Sequence, residues 1–178
     1  MSKLVHLSDL HFGKDRPDLL DPLVSCVNEL CPDLVAISGD FTQRARDRQF
    51  EEAHNFISMI EAPVLGVPGN HDVLLDRPFR RFFLPWRGYK KWINPDLTPQ
   101  FENDTMIVVG VNSVDRFSWQ TGRLSPGRIK HACTEMSNAP HGKARILVVH
   151  HPLEHPAETK KKPIPGARKA LEKLLTCG

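Results

Sequence analysis

Five short apolar runs recur along the chain, and each breaks off into polar residues. They are LVHLSDLH at 4–11, PDLVAISGD at 32–40, PVLGVPGNHD at 63–72, TMIVVGVNS at 105–113 and ARILVVHHP at 144–152. Their length, β-branched content and flanking Gly and Pro predict buried strands. Between them stand segments with apolar residues at helical spacing. Residues 18–30 place Leu19, Leu20, Leu23, Val24 and Val27 on one stripe, and 45–60 do so with Phe50, Ala53, Phe56, Ile57 and Ile60. Residues 125–137 predict a helix that Ser125 caps, with Pro126 at its first position, and 167–175 a final amphipathic helix. This alternation restricts the chain to a layered α/β domain with a mainly parallel core. Functional side chains in such sheets gather just beyond the carboxyl ends of the strands. Asp9, His11, Asp40, Asn70, His71, Asp72 and His150 all fall there.

Size and charge narrow the alternatives. The 178 residues suffice for one well-buried domain, 1–178, and not for two ordinary ones. A formal net charge of +3 does not by itself imply nucleic-acid binding and tolerates an anionic substrate. Met1-Ser2-Lys3 leads straight into the first strand without a secretory leader, and no run approaches the ~18 apolar residues of a membrane span. Cys26, Cys31, Cys133 and Cys177 form no C-x-x-C pair and no zinc-like spacing, so they read as reduced packing thiols. Together these features predict a cytoplasmic protein.

Asp9 and His11 stand two residues apart at a strand end, where the period of two directs both to one side. A carboxylate and an imidazole so placed suit a divalent ion; they equally suit a salt-bridged pair or a turn. Asp40, Asn70 and His150 add oxygen and nitrogen donors at three further strand ends. Gly39 and Gly69 precede two of these donors and let the backbone approach an ion closely.

The set resembles the calcineurin-like metallophosphoesterase family. Asp9-x-His11, Gly39-Asp40, Gly69-Asn70-His71-Asp72 and His150 match its blocks in order and in rough spacing. The resemblance implies an α-β-β-α sandwich and two divalent ions such as Mn, Fe or Zn. It assigns Asp9, His11 and Asp40 to one ion and Asp40, Asn70 and His150 to the other, with Asp40 bridging. It also implies hydrolysis of a small phosphodiester or pyrophosphate by a metal-activated water. His71 then contacts a phosphate oxygen or protonates the leaving group, with Asp72 orienting its ring.

The family pattern ends in Gly-His-x-His, a block this chain does not contain. The fold is therefore expected to be incomplete at the C-terminus, with three protein ligands per ion, impaired turnover and uncovered sheet edges. Self-association into a homo-oligomer is the expected response. Residues 76–93, within a cap segment at 76–100, pack six basic residues among six aromatics. They read as a substrate wall in which Arg80, Arg81 or Arg87 binds a second phosphate and Trp86 or Tyr89 stacks a base or covers acyl chains. They read equally as a helical cap whose aromatic face is core. The same segment motivates a competing class, a nucleic-acid or anion-binding module that keeps the fold without turnover.

Overall fold

A computed structural model of the chain describes residues 2–74, 78–118, 121–156, 158–159 and 162–177, without the side chains of Pro78 and Arg80. Two three-stranded sheets form its centre. One has the order β1-β2-β3, from Leu4–Leu7, Leu34–Ile37 and Val64–Gly66, and is parallel throughout. The other has the order β4-β5-β6, from Gln100–Glu102, Met106–Val111 and Ala144–Val149; β5 pairs antiparallel with β4 and parallel with β6.

Strand alternation explains why the sheets stack. In β2, Val35 and Ile37 face a cluster built with Val24, Val27, Phe50, Ala53 and Phe56 of the helices α1 (Pro17–Glu29) and α2 (Asp47–Ser58). The intervening Leu34 and Ala36 face Met106, Val108 and Val148 of the second sheet. In β5 the other set, Ile107, Val109 and Val111, packs on Ile129, Ala132 and Met136 of α5 (Pro126–Asn138) and on Ala167 and Ala170 of α6 (Ala167–Leu174). Strands β2 and β5 are thus buried on both faces, which is why both read as near-continuous apolar runs. The layers run helix, sheet, sheet, helix.

Local signals account for the helix ends. Pro17 and Pro126 stand in the first turns of α1 and α5, and the Ser125 hydroxyl accepts the Arg128 N–H at 3.4 Å. The cap segment forms two short helices, α3 (Pro78–Phe83) and α4 (Arg87–Trp92), before β4 and the second sheet. α6 (Ala167–Leu174) lies beside α5 and brings Cys177 to Cys133, 44 residues away, where the two form a disulfide with a Cα–Cα distance of 5.4 Å. The expectation of four reduced thiols therefore fails for this pair, because helix packing joins what sequence spacing keeps apart. Cys26 and Cys31 are free and exposed. Cysteine usage consequently lends no support to a cytoplasmic location. Among the described residues, no helix is long and apolar enough to cross a membrane.

Candidate metal centre

Asp9, His11 and Asp40 converge beyond the ends of β1 and β2, with one ligand atom from each within 4.8 Å of the others. The His11 Nε2 lies 3.6 Å from Asp9 Oδ1 and 3.7 Å from Asp40 Oδ2. The strand pleat does not produce this convergence, contrary to the sequence expectation. β1 stops at Leu7, and Asp9, His11 and Asp40 adopt left-handed backbone, with φ of 56°, 49° and 54°. Such φ values are uncommon outside glycine and persist where surrounding bonds over-determine them. Here those bonds are parallel-type contacts: Asp9 N–H to the Gly39 carbonyl, His11 N–H to that of Asp40, and Phe12 N–H to that of Phe41. They extend the β1–β2 pairing past the strands and hold the three side chains together.

The second half of the site brings in a residue of the other sheet. His150 follows β6, and its Nδ1–H donates to the Ser38 carbonyl at 2.8 Å. That bond makes Nε2 the lone-pair nitrogen of a neutral ring. Nε2 then faces Asn70 Oδ1 at 3.0 Å and Asp40 Oδ1 at 3.6 Å. Acceptors aimed at one another are a poor arrangement without a cation. Gly69 makes the approach feasible, since a methyl group there would overlap the Asp40 carboxylate and its backbone N–H. Gly39, at φ +97°, would meet Gly69 and His150 in the same way.

The donor set fits divalent ions. Ligand atoms about 2.1 Å from a shared ion stand about 3.0–3.4 Å apart at octahedral or tetrahedral angles. The His11–Asp9, His11–Asp40 and His150–Asp40 separations, 3.6–3.7 Å, are close to this and too long for hydrogen bonds. The mixture of carboxylate, amide oxygen and imidazole suits Mn, Fe or Zn.

His71 and Asp72 occupy the single turn Asn70–Asp72 between the two halves. The His71 ring packs edge-on against His11, with centroids 4.9 Å apart. Its Nδ1–H donates to the Gln43 carbonyl at 2.8 Å, which leaves Nε2 as the atom able to meet a substrate. The expectation that Asp72 orients this ring is thereby corrected. The Asp72 carboxylate is buried at 1% exposure and instead accepts the N–H groups of Phe41, Thr42 and Gly69 and the Thr42 hydroxyl. Burial, and next the Asp40 charge, push it up to about 7, while those N–H groups pull it down.

The substrate candidates from the cap separate. The Arg81 guanidinium is buried and donates to the carbonyls of Leu74, Arg116 and Ser118, so it holds loops rather than facing the centre. Burial lowers its pKa, with Asp115 opposing. Arg87 lines a cavity of about 140 Å³ with Asp47, Phe50, Asp72 and Leu74, which none of the proposed metal ligands line. The Arg80 side chain lies outside the described residues. Tyr89 is core, with its hydroxyl donating to the Gly66 carbonyl at 2.8 Å. The cleft that does open beside Asp9, His11 and His71, about 520 Å³, is lined instead by Leu10, Lys14 and Gln43. Lys14 and Gln43 were not singled out from the sequence; their positions three residues after His11 and Asp40 were the available signal.

Residues 2–175 match the family described as calcineurin-like phosphoesterase. The chain belongs to that family. A UDP-2,3-diacylglucosamine pyrophosphatase, LpxG, of Chlamydia muridarum is 34% identical over 73 residues, covering 39% of this chain and 22% of the relative. A probable glycerophosphodiester phosphodiesterase, GpdQ, of Arcobacter nitrofigilis is 26% identical over 160 residues, covering 84% of this chain and 56% of the relative. The chain thus spans roughly half or less of these curated relatives. A dimetal phosphatase from Danio rerio superposes with a TM-score of 0.70 at 13% identity, over 98% of this chain and 77% of that one. A Thermus thermophilus protein, TT1561, gives 0.60 at 15% identity, over 97% and 77%. The calcineurin-like phosphoesterase fold accounts for the two stacked sheets and their flanking helices.

Proposed function

We propose that this chain is the catalytic part of a metal-dependent hydrolase acting on a small phosphodiester or pyrophosphate. The observation that carries the reading is Asp40, whose two carboxylate oxygens face different imidazoles, Oδ2 toward His11 and Oδ1 toward His150. One carboxylate placed in this way suits a pair of ions. Asp9, His11 and Asp40 would hold one, and Asp40, Asn70 and His150 the other. Bound divalent ions supply the activated water and neutralise phosphate charge.

The remaining work falls to the chain's own groups. His71, fixed through Nδ1 by Gln43, presents Nε2; when protonated there it donates to a phosphate oxygen or to the leaving group. The Gln43 carbonyl stabilises the resulting imidazolium. Asp72 holds the Gly69–Asp72 turn against Phe41 and Thr42, and so acts through backbone position. The pyrophosphatase and phosphodiesterase named among the relatives are in keeping with a small substrate.

Metal-stripped protein titrated with Mn, Fe or Zn tests the reading, with bis(p-nitrophenyl) phosphate as the first substrate. A panel of cyclic nucleotides, nucleoside diphosphate sugars and plasmid DNA follows. Metal-dependent turnover with preference for the small substrates supports it. Salt-sensitive binding of single-stranded DNA without turnover under any metal replaces it with an anion-binding module.

A further inference from the structure

A corner of the molecule that the proposed chemistry does not use combines two features. The first is apolar. Buried Arg81 ties α3 to the loop after β5 through the carbonyls of Arg116 and Ser118. The tie stacks Phe82 on Phe117, with centroids 5.8 Å apart. It leaves Phe79, Phe83, Leu84 and Phe117 exposed to 79, 77, 54 and 70%. Single exposed apolar side chains are ordinary, but this group is contiguous. Phe79 and Phe83 lie one turn apart on α3, Leu84 follows, and Phe82 bridges to Phe117.

The second feature is cationic and adjoins the first. Arg116 covers the Phe117 ring at 4.8 Å and donates to the Phe82 carbonyl at 3.2 Å. With Arg123 and Arg128 it lines a pocket of about 280 Å³ that Trp86 and Phe117 close. Among the described residues that line it, Asp115 is the one carboxylate. It is already engaged by the Phe117 N–H and lies 3.7 Å from Arg123.

We propose that this corner docks on an anionic lipid surface. Phe79, Phe83, Leu84 and Phe117 enter the boundary between headgroups and acyl chains, and Arg116 and Arg123 bind lipid phosphates at its edge. Charge favours this occupant over a second copy of the chain, since Arg116, Arg123 and Arg128 stand here against the single described carboxylate Asp115 and the patch offers a copy of itself little complementary charge. It is favoured over a nucleic acid because Leu84 and the protruding α3 phenylalanines would remain in water beside a phosphate track.

Co-sedimentation with phosphatidylcholine vesicles containing about 30 mol% phosphatidylglycerol, against phosphatidylcholine alone, tests the proposal. The chain should pellet with the anionic vesicles only. Phe79→Ser/Phe83→Ser should lower the bound fraction about tenfold with an unchanged melting temperature. Arg116→Gln should also lower the fraction bound to the anionic vesicles, and the loss should shrink as salt is raised. The proposal is overturned if the parent stays in the supernatant or the double variant binds as the parent does. It is likewise overturned by a dimer that the double variant disperses, or by single-stranded DNA binding that it abolishes, without vesicle binding.

Discussion

The Asp40 Oδ1 accepts the backbone N–H of His71 at 2.8 Å, so the carboxylate proposed to bridge two ions is aimed by the turn that carries the proposed acid. Replacing Asp40 with Ala removes the link between the two halves at once. Hydrolysis of bis(p-nitrophenyl) phosphate by the metal-loaded protein should fall at least about a hundredfold, with the far-UV spectrum retained. Turnover equal to the parent's would remove the bridging assignment.

Asp9 separates backbone strain from metal binding, because its side chain is 54% exposed and its φ is 56°. Asp9→Gly and Asp9→Ala should lose Mn affinity alike in calorimetry. The glycine variant should be the more stable, by about 1 kcal/mol, since only glycine adopts this φ without cost. Equal denaturation midpoints would show the conformation to be unstrained.

Asp72 should matter more to stability than its neighbourhood suggests. Asp72→Ala leaves three buried N–H groups, those of Phe41, Thr42 and Gly69, without their acceptor. Urea denaturation should show a loss of about 3 kcal/mol. A fully stable variant with only kcat reduced would return Asp72 to the role of orienting His71.

Arg81→Ala should likewise act on folding. The guanidinium joins Leu74 to the loop at 116–118, and its removal should cost about 2 kcal/mol and release that loop to faster amide exchange. The KM for a small diester should not change. A selective rise in KM at parental stability would restore Arg81 as a substrate ligand.

Metal should stabilise the folded chain as any ligand of the native state does. At about 100 times its Kd, Mn should add about 2.7 kcal/mol and raise the melting temperature of the parent. Asp9→Ala should show the smaller rise. A parent melting temperature indifferent to Mn, Fe and Zn would argue against the whole centre.

The proposed ligands Asp9, His11, Asp40, Asn70 and His150 are legible in the sequence as polar residues that follow apolar runs in a fixed order. The alternation of strands and helices makes the α/β class legible, and the resemblance to the calcineurin-like family supplies the four layers. What the order of residues does not contain is which backbone group a side chain meets. The Gln43 carbonyl on His71 has no side-chain signature, and Asp72 had no visible reason to turn to three amides. Arg81 and Tyr89 share their segment with exposed Arg87, Phe82 and Phe83, and the sequence does not distinguish their burial, which the cap's packing decides. The Cys133–Cys177 bond depends on two helices lying side by side.

His150 belongs to one sheet, while Ser38, Asn70 and Asp40 belong to the loops of the other. The mouth of the sandwich is therefore latched by a directional bond, from the His150 Nδ1–H to the Ser38 carbonyl, whereas its interior is held by apolar contacts that tolerate sliding. A slip of one sheet by a single residue, about 3.3 Å, would carry that N–H beyond reach of its acceptor and still leave oil against oil. The centre is in this sense a vernier for the alignment of the layers. Heat, pressure or a poorly filled interior should register there as misplaced donors well before the chain comes apart.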